Sequence, residues 1–166
     1  ADWRHPSGAN SSIAGRDLFP VVHVAYEDAA AYARWLGRRL PTENEWARAA
    51  RLDAPAPRDI HAEAFAASGA PSANTWQGVF PIVDRGVDGF EGLAPVGCFQ
   101  PNAQGLYDMV GNVWEWTSDW FAYDKAPVDE TYAREHEPQH IAEHVIKGGS
   151  FLCSDTFCSR FRTGSR

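Results

Sequence analysis

Two cysteines near the end of the sequence are the residues whose types and spacing most directly suggest chemistry. Cys153 and Cys158 are five positions apart, and Ser154, Asp155 and Thr156 are among the four residues between them. On a straight strand, residues at this spacing point to opposite faces and lie about 16 Å apart, and on one helix they lie about 140° apart around the axis. Serine and aspartate are turn formers, so a turn is the geometry that would bring the two thiols together.

A close thiol pair has three main uses, which are a structural disulfide, a redox disulfide and a soft-metal site. Two thiolates suit Cu(I), because that ion prefers soft sulfur ligands, but they are too few for a structural zinc site unless histidines join them. The spacing leaves these uses open, together with two unrelated buried cysteines. Gly148 and Gly149 precede the pair and would let another backbone segment approach closely.

Oxygen-bearing side chains recur in the middle of the chain, in glycine-rich loops among bulky aromatic residues. They are Asn74, Asp88, Asp108 and Glu115. Carboxylate, amide and backbone carbonyl oxygens are the ligands that Ca²⁺ takes, although the sequence has no EF-hand pattern. The alternative is that these carboxylates bond to nearby backbone N–H groups, as loop carboxylates commonly do.

Three histidines and a third cysteine are interpreted as residues that bind no metal and take no part in catalysis. His136, His140 and His144 recur every four residues, as metal ligands on a helix would. Pro138 lies inside that stretch and disfavours a helix, so we expect exposed loop residues. Cys98 has no partner at an obvious spacing, and we expect it to be a small buried hydrophobic residue.

Two arginines follow the cysteine pair. If the chain alternates there as a strand, Arg160 and Arg162 share a face with Cys158. They would then lower the pKa of a thiol or bind carbonyls of a peptide, and a solvated or ion-paired face is the alternative.

The elements that must position these residues are short. A buried strand is predicted at 20–24 and a helix at 26–36, because apolar residues there repeat at helical spacing. A second helix is predicted at 43–51, because Thr42 and Glu45 form a capping box. Residues 52–73 are predicted as a loop, 74–120 as turns and short strands, 122–144 as an exposed loop, and 145–162 as strand, turn and strand.

Composition limits the class of protein. The 166 residues fit one domain, and 44% of them are hydrophobic. The net charge of −7 argues against nucleic acid as a partner. No run approaches about 20 apolar residues, so no membrane span is predicted, and no signal peptide is visible. Three cysteines do not make a disulfide scaffold.

Several motifs together resemble formylglycine-generating enzymes, also called sulfatase-modifying factors. The matching segments keep their order over about residues 3–166, and they are 39–46, 74–78, 88–90, 105–120, 148–153 and 158–162. The resemblance implies an α+β fold of the formylglycine-generating, C-type-lectin-like kind, with little regular secondary structure. Family members usually extend further at both ends, so we expect residues 1–166 to be one sulfatase-modifying-factor domain that is truncated at both ends.

The resemblance also implies a reaction and its residues. Cys153 and Cys158 match the two cysteines that bind Cu(I) in the family, which oxidises a cysteine in a Cys-x-Pro-x-Arg segment of a sulfatase to formylglycine with molecular oxygen. Ser150 matches a serine that lines the site, and Trp114 matches an aromatic wall of the substrate groove. Arg160 is added as a candidate for substrate binding.

Calcium is implied at two places in the oxygen-rich loops. The first site would use the side chains of Asn74 and Asp88 with the carbonyls of Thr75 and Phe90. The second site would use the side chains of Asp108 and Glu115 with the carbonyls of Gly111 and Val113. Many relatives have asparagine at position 108, and aspartate keeps the oxygen ligand while adding charge.

Two alternatives share the same fold. One is a non-catalytic, calcium-stabilised binding module, which would be marked by replacement of the cysteines. The other is an iron-dependent sulfoxide synthase relative, and no three-residue iron site is visible in this sequence. Extracellular relatives carry additional structural disulfides, so the low cysteine content favours a bacterial-type cytoplasmic protein.

Overall fold

Regular secondary structure occupies a minority of the chain. The computed structural model describes residues 1–51, 63–124, 126–154 and 156–165. Within them the helices are α1 (Tyr26–Trp35), α2 (Glu43–Arg51) and α3 (Glu130–His136), and the strands are β1 (Gly78–Val79), β2 (Val83–Asp84), β3 (Glu115–Trp120) and β4 (His144–Lys147). This confirms the predicted α+β class with little regular secondary structure.

The two N-terminal helices form where local signals predict them. Helix α1 ends within one residue of the predicted boundary, where Gly37, at φ 68°, donates its N–H to the carbonyl of Arg34 over 2.9 Å. Helix α2 begins at a complete capping box. The N–H of Glu45 donates to Thr42 Oγ1 over 3.1 Å, and the N–H of Thr42 donates to Glu45 Oε2 over 2.8 Å.

Charge pairing completes the start of α2. The guanidinium of Arg39 donates to both carboxylate oxygens of Glu45, over 2.7 and 2.6 Å. This pairing, followed by the N–H of Thr42, lowers the pKa of Glu45 to about 2. The helix inserts one buried side chain, Trp46, into the interior.

Each of the two small sheets consists of two antiparallel strands. In the first, Gly78 pairs with Asp84 and Val79 with Val83. Glycine is required at position 78, because a Cβ there would lie 2.1 Å from the carbonyl oxygen of Val83. In the second sheet, β3 pairs with β4, with an irregular register towards Trp120.

The second sheet and α2 enclose a buried lysine. Lys147 is 1% exposed, and its Nζ lies 3.5 Å from Glu43 Oε1 and 5.3 Å from the centre of the Trp46 ring. Trp46 Nε1 in turn donates to Glu115 Oε2 over 2.5 Å. These contacts fix α2 against the first residue of β3.

Two predicted strands are absent. Residues 20–24 do not form a strand, because His23 takes a φ of 56°, which interrupts an extended backbone, and Val21 is 63% exposed. The strand predicted after the cysteine pair is also wrong. The chain there forms a short 3-10 helix at Ser159–Phe161 instead.

The predicted loop 122–144 contains α3, which sequence patterning missed. The side chain of Asp129 caps this helix by accepting the N–H of Tyr132 over 2.9 Å. The helix ends at His136, two residues before Pro138, so the proline limits the helix without preventing it. Half of the loop predicted at 52–73, residues 52–62, lies outside the described residues. No helix in the described ranges is long and apolar enough to span a membrane.

Candidate functional site

The two C-terminal cysteines meet in the interior. Cys153 Sγ and Cys158 Sγ lie 2.9 Å apart, and Cys153 is 1% exposed whereas Cys158 is half-buried. A turn joins them, in which the N–H of Cys158 donates to the carbonyl of Ser154 over 3.0 Å and the N–H of Phe157 donates to Ser154 Oγ over 3.2 Å. The predicted proximity of the thiols is confirmed.

Distant segments hold the cysteine turn in place. The backbone N–H of Trp76 donates to the carbonyl of Cys153 over 2.8 Å, and the N–H of Phe151 donates to the carbonyl of Asn112 over 3.0 Å. Gly149, at φ 74°, lies so close to Phe161 that a Cβ there would be 2.6 Å from its Cα. The predicted role of this glycine in close backbone approach is therefore confirmed.

The environment of the pair keeps Cys153 protonated in the absence of a cation. Burial, followed by the hydrogen bond to Cys158, raises the pKa of the Cys153 thiol to about 12. A metal ion that binds thiols displaces their protons. Two adjacent sulfur atoms match the preference of Cu(I) for soft ligands, so the donor pair fits a soft monovalent metal, and copper itself stays a prediction.

A large groove lies beside the cysteine pair. This main groove has a volume of about 1330 Å³, and its wall near the cysteines consists of Trp114, Ser150, Phe151 and Leu152. Trp114 also packs against the buried cluster that contains Cys153. Ser150 and Trp114 thus lie where a serine in the site and an aromatic wall would be needed, and their roles stay predictions.

Arg160 is placed differently from the sequence argument. It lies in the 3-10 helix that follows the cysteine turn, and its side chain is exposed. The alternating strand that would align it with Cys158 is absent. A role in substrate binding therefore cannot rest on a shared strand face.

Hydrogen bonds hold the side chains of the first predicted calcium site in place. Asp88 Oδ2 accepts the N–H of Thr75 over 3.3 Å and Gln77 Nε2 over 2.8 Å, while Asp88 Oδ1 accepts the N–H of Phe90 over 3.0 Å. Asn74, 2% exposed, donates its Nδ2 to the carbonyl of Gly92 over 2.8 Å. This leaves the Asn74 side-chain oxygen and nearby backbone carbonyls as the neutral ligands that a cation would use.

The acidic residues of the second predicted site face a common cavity of about 370 Å³. Asp108, Val113 and Glu115 line it, and Gly111 is held nearby because its N–H donates to the carbonyl of Gly148 over 2.8 Å. Burial raises the pKa of Glu115 to about 6. The hydrogen bond from Trp46 acts to lower this pKa, and the charge of Asp108 acts to raise it. Two carboxylates that repel each other in one cavity would be stabilised by a cation.

No cluster of three or more His, Cys, Asp and Glu side chains occurs among the residues that the structure describes. Either calcium site would therefore need amide and backbone oxygens.

Ionisation of Glu115 should make stability depend on pH in cation-free buffer. Its folded-state pKa lies above the ordinary 4.5, so the folded protein binds more protons than the unfolded chain between pH 4.5 and about 6. The free energy of unfolding should therefore fall as pH rises through this window, by on the order of 1–2 kcal/mol. Urea denaturation with chelator at both ends of the window measures the fall.

Glu115→Gln should remove this component of the pH dependence, because the amide does not ionise and still accepts the indole N–H. The exposed Glu91 provides the matched control, and Glu91→Gln should leave the pH dependence unchanged. An identical fall in the Glu115→Gln protein would contradict the assignment.

Other predicted features are not brought together. Cys98 is exposed, so the expectation of a buried residue is wrong, because Gly97 at φ 75° turns the chain at the surface. Nδ1 of His136 lies 2.9 Å from the carbonyl oxygen of Tyr132, whereas His144 is stacked between two aromatic rings. The prediction of exposed loop residues is therefore wrong for His136, which lies in α3, and for His144, which lies in β4 and is half-buried.

Sequence reasoning missed two residues that organise the site. Asn112 is 2% exposed, and its side chain bonds both the N–H and the carbonyl of Ala94, over 3.0 and 3.1 Å. Phe157, inside the cysteine turn, stacks on Phe80 with ring centres 4.0 Å apart. The asparagine after Gly111 and the aromatic residue before Cys158 were visible in the sequence, but their partners were not.

Comparison with known proteins gives consistent family matches. Residues 1–166 match the family described as the sulfatase-modifying factor enzyme 1-like domain. The chain is 46% identical over 169 residues to the formylglycine-generating enzyme of Streptomyces coelicolor, covering 100% of this chain and 52% of that protein. It is 45% identical over 166 residues to the formylglycine-generating enzyme of Mus musculus, covering 100% of this chain and 44% of that protein.

Two further matches broaden the comparison. The inactive C-alpha-formylglycine-generating enzyme 2 of Bos taurus is 48% identical over 122 residues, which is 73% of this chain and 40% of that protein. The structure of PvdO from Pseudomonas aeruginosa superposes with a TM-score of 0.57 and 29% identity, covering 88% of this chain and 55% of that one. The chain spans about half the length of the curated relatives it matches.

Proposed function

The chain belongs to the sulfatase-modifying factor family, and from this premise we propose that it converts a cysteine of a sulfatase polypeptide to formylglycine. The observation that carries the proposal is the pair of thiols 2.9 Å apart beside an open groove. Its support is the 45–46% identity to enzymes named for this product. The recognised segment would have the form Cys-x-Pro-x-Arg.

The proposed reaction is an oxidation that requires an external reductant. The substrate cysteine, one O₂ and two thiols give the aldehyde, hydrogen sulfide, one disulfide and one water. The C–S bond of the substrate cysteine breaks and a C=O bond forms. The two electrons needed beyond those of the cysteine come from the added thiols, which leave as the disulfide.

Copper is the cofactor proposed for this oxidation, and Cys153 and Cys158 would hold it. When bound, Cu(I) would supply a redox-active centre that accepts a third thiolate and makes reaction with oxygen possible. The protein contributes burial, which excludes water around Cys153, and a turn that keeps both sulfurs adjacent. Trp114 and Ser150 would form the wall against which the substrate cysteine is positioned, and the exposed Arg160 would bind peptide carbonyls beyond it.

Mass spectrometry of a Cys-x-Pro-x-Arg peptide tests the proposal. The peptide is incubated with the protein, reduced copper, a thiol and oxygen, and the aldehyde is trapped with a hydrazine. We expect the trapped product from this peptide and none from a matched peptide with serine in place of cysteine. Absence of product in every combination of copper, thiol and oxygen would refute the proposed activity.

A second candidate function is a non-catalytic binding module of the same fold. The 48% identity to a relative named inactive favours this alternative. The same assay distinguishes the enzyme from the binding module, because a binding module would bind the peptide without producing an aldehyde.

Calcium is proposed as a structural ion at both groups of oxygen ligands. A ligand that binds only the folded state stabilises it by mass action, by about 2.7 kcal/mol at a hundredfold excess over Kd. Removing calcium with a chelator should therefore lower the Tm by several degrees, and added calcium should restore it. Differential scanning calorimetry measures the change.

Variants separate the two calcium sites. Asp88→Ala, which removes both side-chain oxygens, should weaken the response at the first site. Asp108→Asn should weaken the response at the second site less, because the amide oxygen still serves as a ligand. Glu91→Gln, at an exposed carboxylate, is the control. A Tm that does not respond to chelator in the unaltered protein would rule out structural calcium.

A cytoplasmic, bacterial-type location is also proposed. Its support is compositional, because only three cysteines are present and secreted proteins of this size more often carry disulfides. Fractionation of a bacterial host that expresses the full-length protein would test it, with accumulation in the periplasm as the contrary result.

A further inference from the structure

The β1–β2 hairpin presents apolar side chains to solvent directly beside the cysteine turn. Val79 is 61% exposed, Ile82 79% and Val83 48%. Val79 and Val83 are paired across the hairpin and so lie on the same face. We call Val79, Phe80, Ile82, Val83 and Phe157 the hairpin surface. Adjacent exposed apolar residues of this kind characteristically mark binding sites.

Aromatic contacts join the hairpin surface to the thiol pair. Phe157, the residue before Cys158, is 63% exposed and stacks on Phe80 with an interplanar angle of 17°. Trp76 packs edge-on against Phe80 with ring centres 5.2 Å apart, and its backbone N–H holds the carbonyl of Cys153. A polypeptide whose cysteine reached the thiols would therefore contact the hairpin surface with its neighbouring residues.

A second cavity, of about 380 Å³, lies beside the hairpin. It is lined by residues that include Trp76, Ile82, Asp84, Glu91 and Phe151. Its lining, as far as the structure describes it, has two carboxylates and no basic side chain, so it favours a cationic group. Glu91 and Phe151 also line the main groove, which shows that the two cavities adjoin.

The apolar hairpin surface and the acidic cavity beside it are together complementary to an extended chain that carries apolar and basic side chains.

We propose that the hairpin surface and the adjoining acidic cavity form a docking surface for the sulfatase polypeptide next to its reactive cysteine. This inference rests on the proposed function, because it takes that substrate as the occupant. Apolar side chains of the polypeptide pack on Val79, Ile82 and Val83, and a basic side chain pairs with Asp84 and Glu91.

Substrate length provides the test. The core peptide is Cys-x-Pro-x-Arg alone, and two long peptides add leucine and lysine residues on the amino or the carboxyl side. With the unaltered, copper-loaded protein, at least one long peptide should have a KM about tenfold or more below that of the core peptide, since one buried apolar side chain is worth about 1.5–3 kcal/mol.

Ile82→Asp should abolish this advantage while leaving kcat and the KM of the core peptide unchanged. Leu18→Asp is the matched control, because Leu18 is 69% exposed and lies outside the hairpin surface; it should change neither KM. Glu91→Gln should reduce the preference for a lysine-containing over a glutamine-containing extension. Equal KM values for core and long peptides in the unaltered protein, or an equal effect of Ile82→Asp on both, would overturn the proposal.

Binding measured without turnover separates this inference from the proposed function. Fluorescence anisotropy follows a labelled long peptide with serine at the cysteine position, and Ile82→Asp should raise its Kd about tenfold. If this shift occurs but no peptide is converted, the docking surface stands and the proposed activity fails. If Ile82→Asp instead changes the oligomeric state and leaves the Kd unchanged, a second copy of the chain is the occupant and the proposal is wrong.

Discussion

Replacing Cys153 or Cys158 by serine is expected to reduce formylglycine formation by on the order of a thousandfold or more. Each replacement removes one of the two soft ligands proposed for Cu(I), and a hydroxyl does not substitute for a thiolate at such a site. Groups that act as a unit lose function together, so the double replacement should cost little more than either single one. Conversion of the peptide, quantified by mass spectrometry under copper, thiol and oxygen, provides the measurement.

Stability should distinguish the two replacements although activity does not. Cys153 is 1% exposed, so a serine hydroxyl there is buried and costs about 1–3 kcal/mol if it lacks a partner. Cys158 is only half-buried, and its replacement should cost less. An equal loss of activity with an unequal loss of stability would show that the activity depends on the sulfur atoms and not on general destabilisation.

Cys98→Ser is the control for thiol chemistry, because Cys98 is exposed and lies outside the buried cluster that contains Cys153. It should leave both turnover and the free energy of unfolding unchanged. Direct titration of reduced copper gives a second measure, in which binding should be lost in both site variants and retained in the control. A double replacement of Cys153 and Cys158 that still converts the peptide would refute the copper-oxidase proposal.

Gly149→Ala is expected to destabilise the fold strongly although it adds only one methyl group. The added Cβ would lie 2.6 Å from Phe161 Cα, 2.8 Å from its Cβ and 2.9 Å from its N. Backbone cannot move aside as a flexible side chain does, so about 1–3 kcal/mol of overpacking adds to about 1–2 kcal/mol for a non-glycine residue in the left-handed region. A total of about 2–5 kcal/mol is a large part of the stability of a typical domain.

A second glycine isolates the steric part of this cost. Gly105 has a φ of 75°, against 74° for Gly149, but an added Cβ there meets nothing within 4 Å. Gly105→Ala should therefore lose only the conformational contribution, about 1–2 kcal/mol. Chemical denaturation of both variants gives the difference, and equal losses would show that the contact between Gly149 and Phe161 does not constrain the fold.

Gly149→Ala should also affect chemistry, because Phe161 and Cys153 belong to the same buried cluster. Displacing Phe161 would disturb the packing around one thiol. The rate at which the two cysteines form a disulfide under mild oxidation should fall in Gly149→Ala and remain unchanged in Gly105→Ala. This readout reports the separation of the sulfur atoms independently of turnover.

Local sequence determined the elements whose stabilising contacts are themselves local. Helix α2 begins at its predicted residue because the side chains of Thr42 and Glu45 each accept a hydrogen bond from the backbone N–H of the other residue. The five-residue spacing indicated only that a turn could bring the two thiols together, and the family resemblance identified them as a pair. The family resemblance supplied the fold class, which a chain with so little regular structure does not reveal through periodicity.

Tertiary contacts decided the features that depend on residues far apart in the chain. The strand predicted at 20–24 failed because His23 adopts a positive φ, with its ring Nε2 3.0 Å from the carbonyl oxygen of Pro6. A hydrophobic run cannot reveal a bond of that kind. Lys147 likewise has a charged side chain yet is 1% exposed, because Glu43 and the Trp46 ring come from another element.

The site itself shows the same division between local and distant causes. Sequence identified Cys153 and Cys158 through their spacing, but residues far away in the chain hold the turn. Trp76 bonds Cys153 from 77 positions away, and Asn112 bonds Phe151 from 39 positions away. The burial that raises the pKa of Cys153 is likewise the sum of contacts from several segments. Residue types and spacing therefore determined which atoms carry the proposed chemistry, whereas long-range packing determined their separation and their protonation, because desolvation depends on everything that surrounds a group.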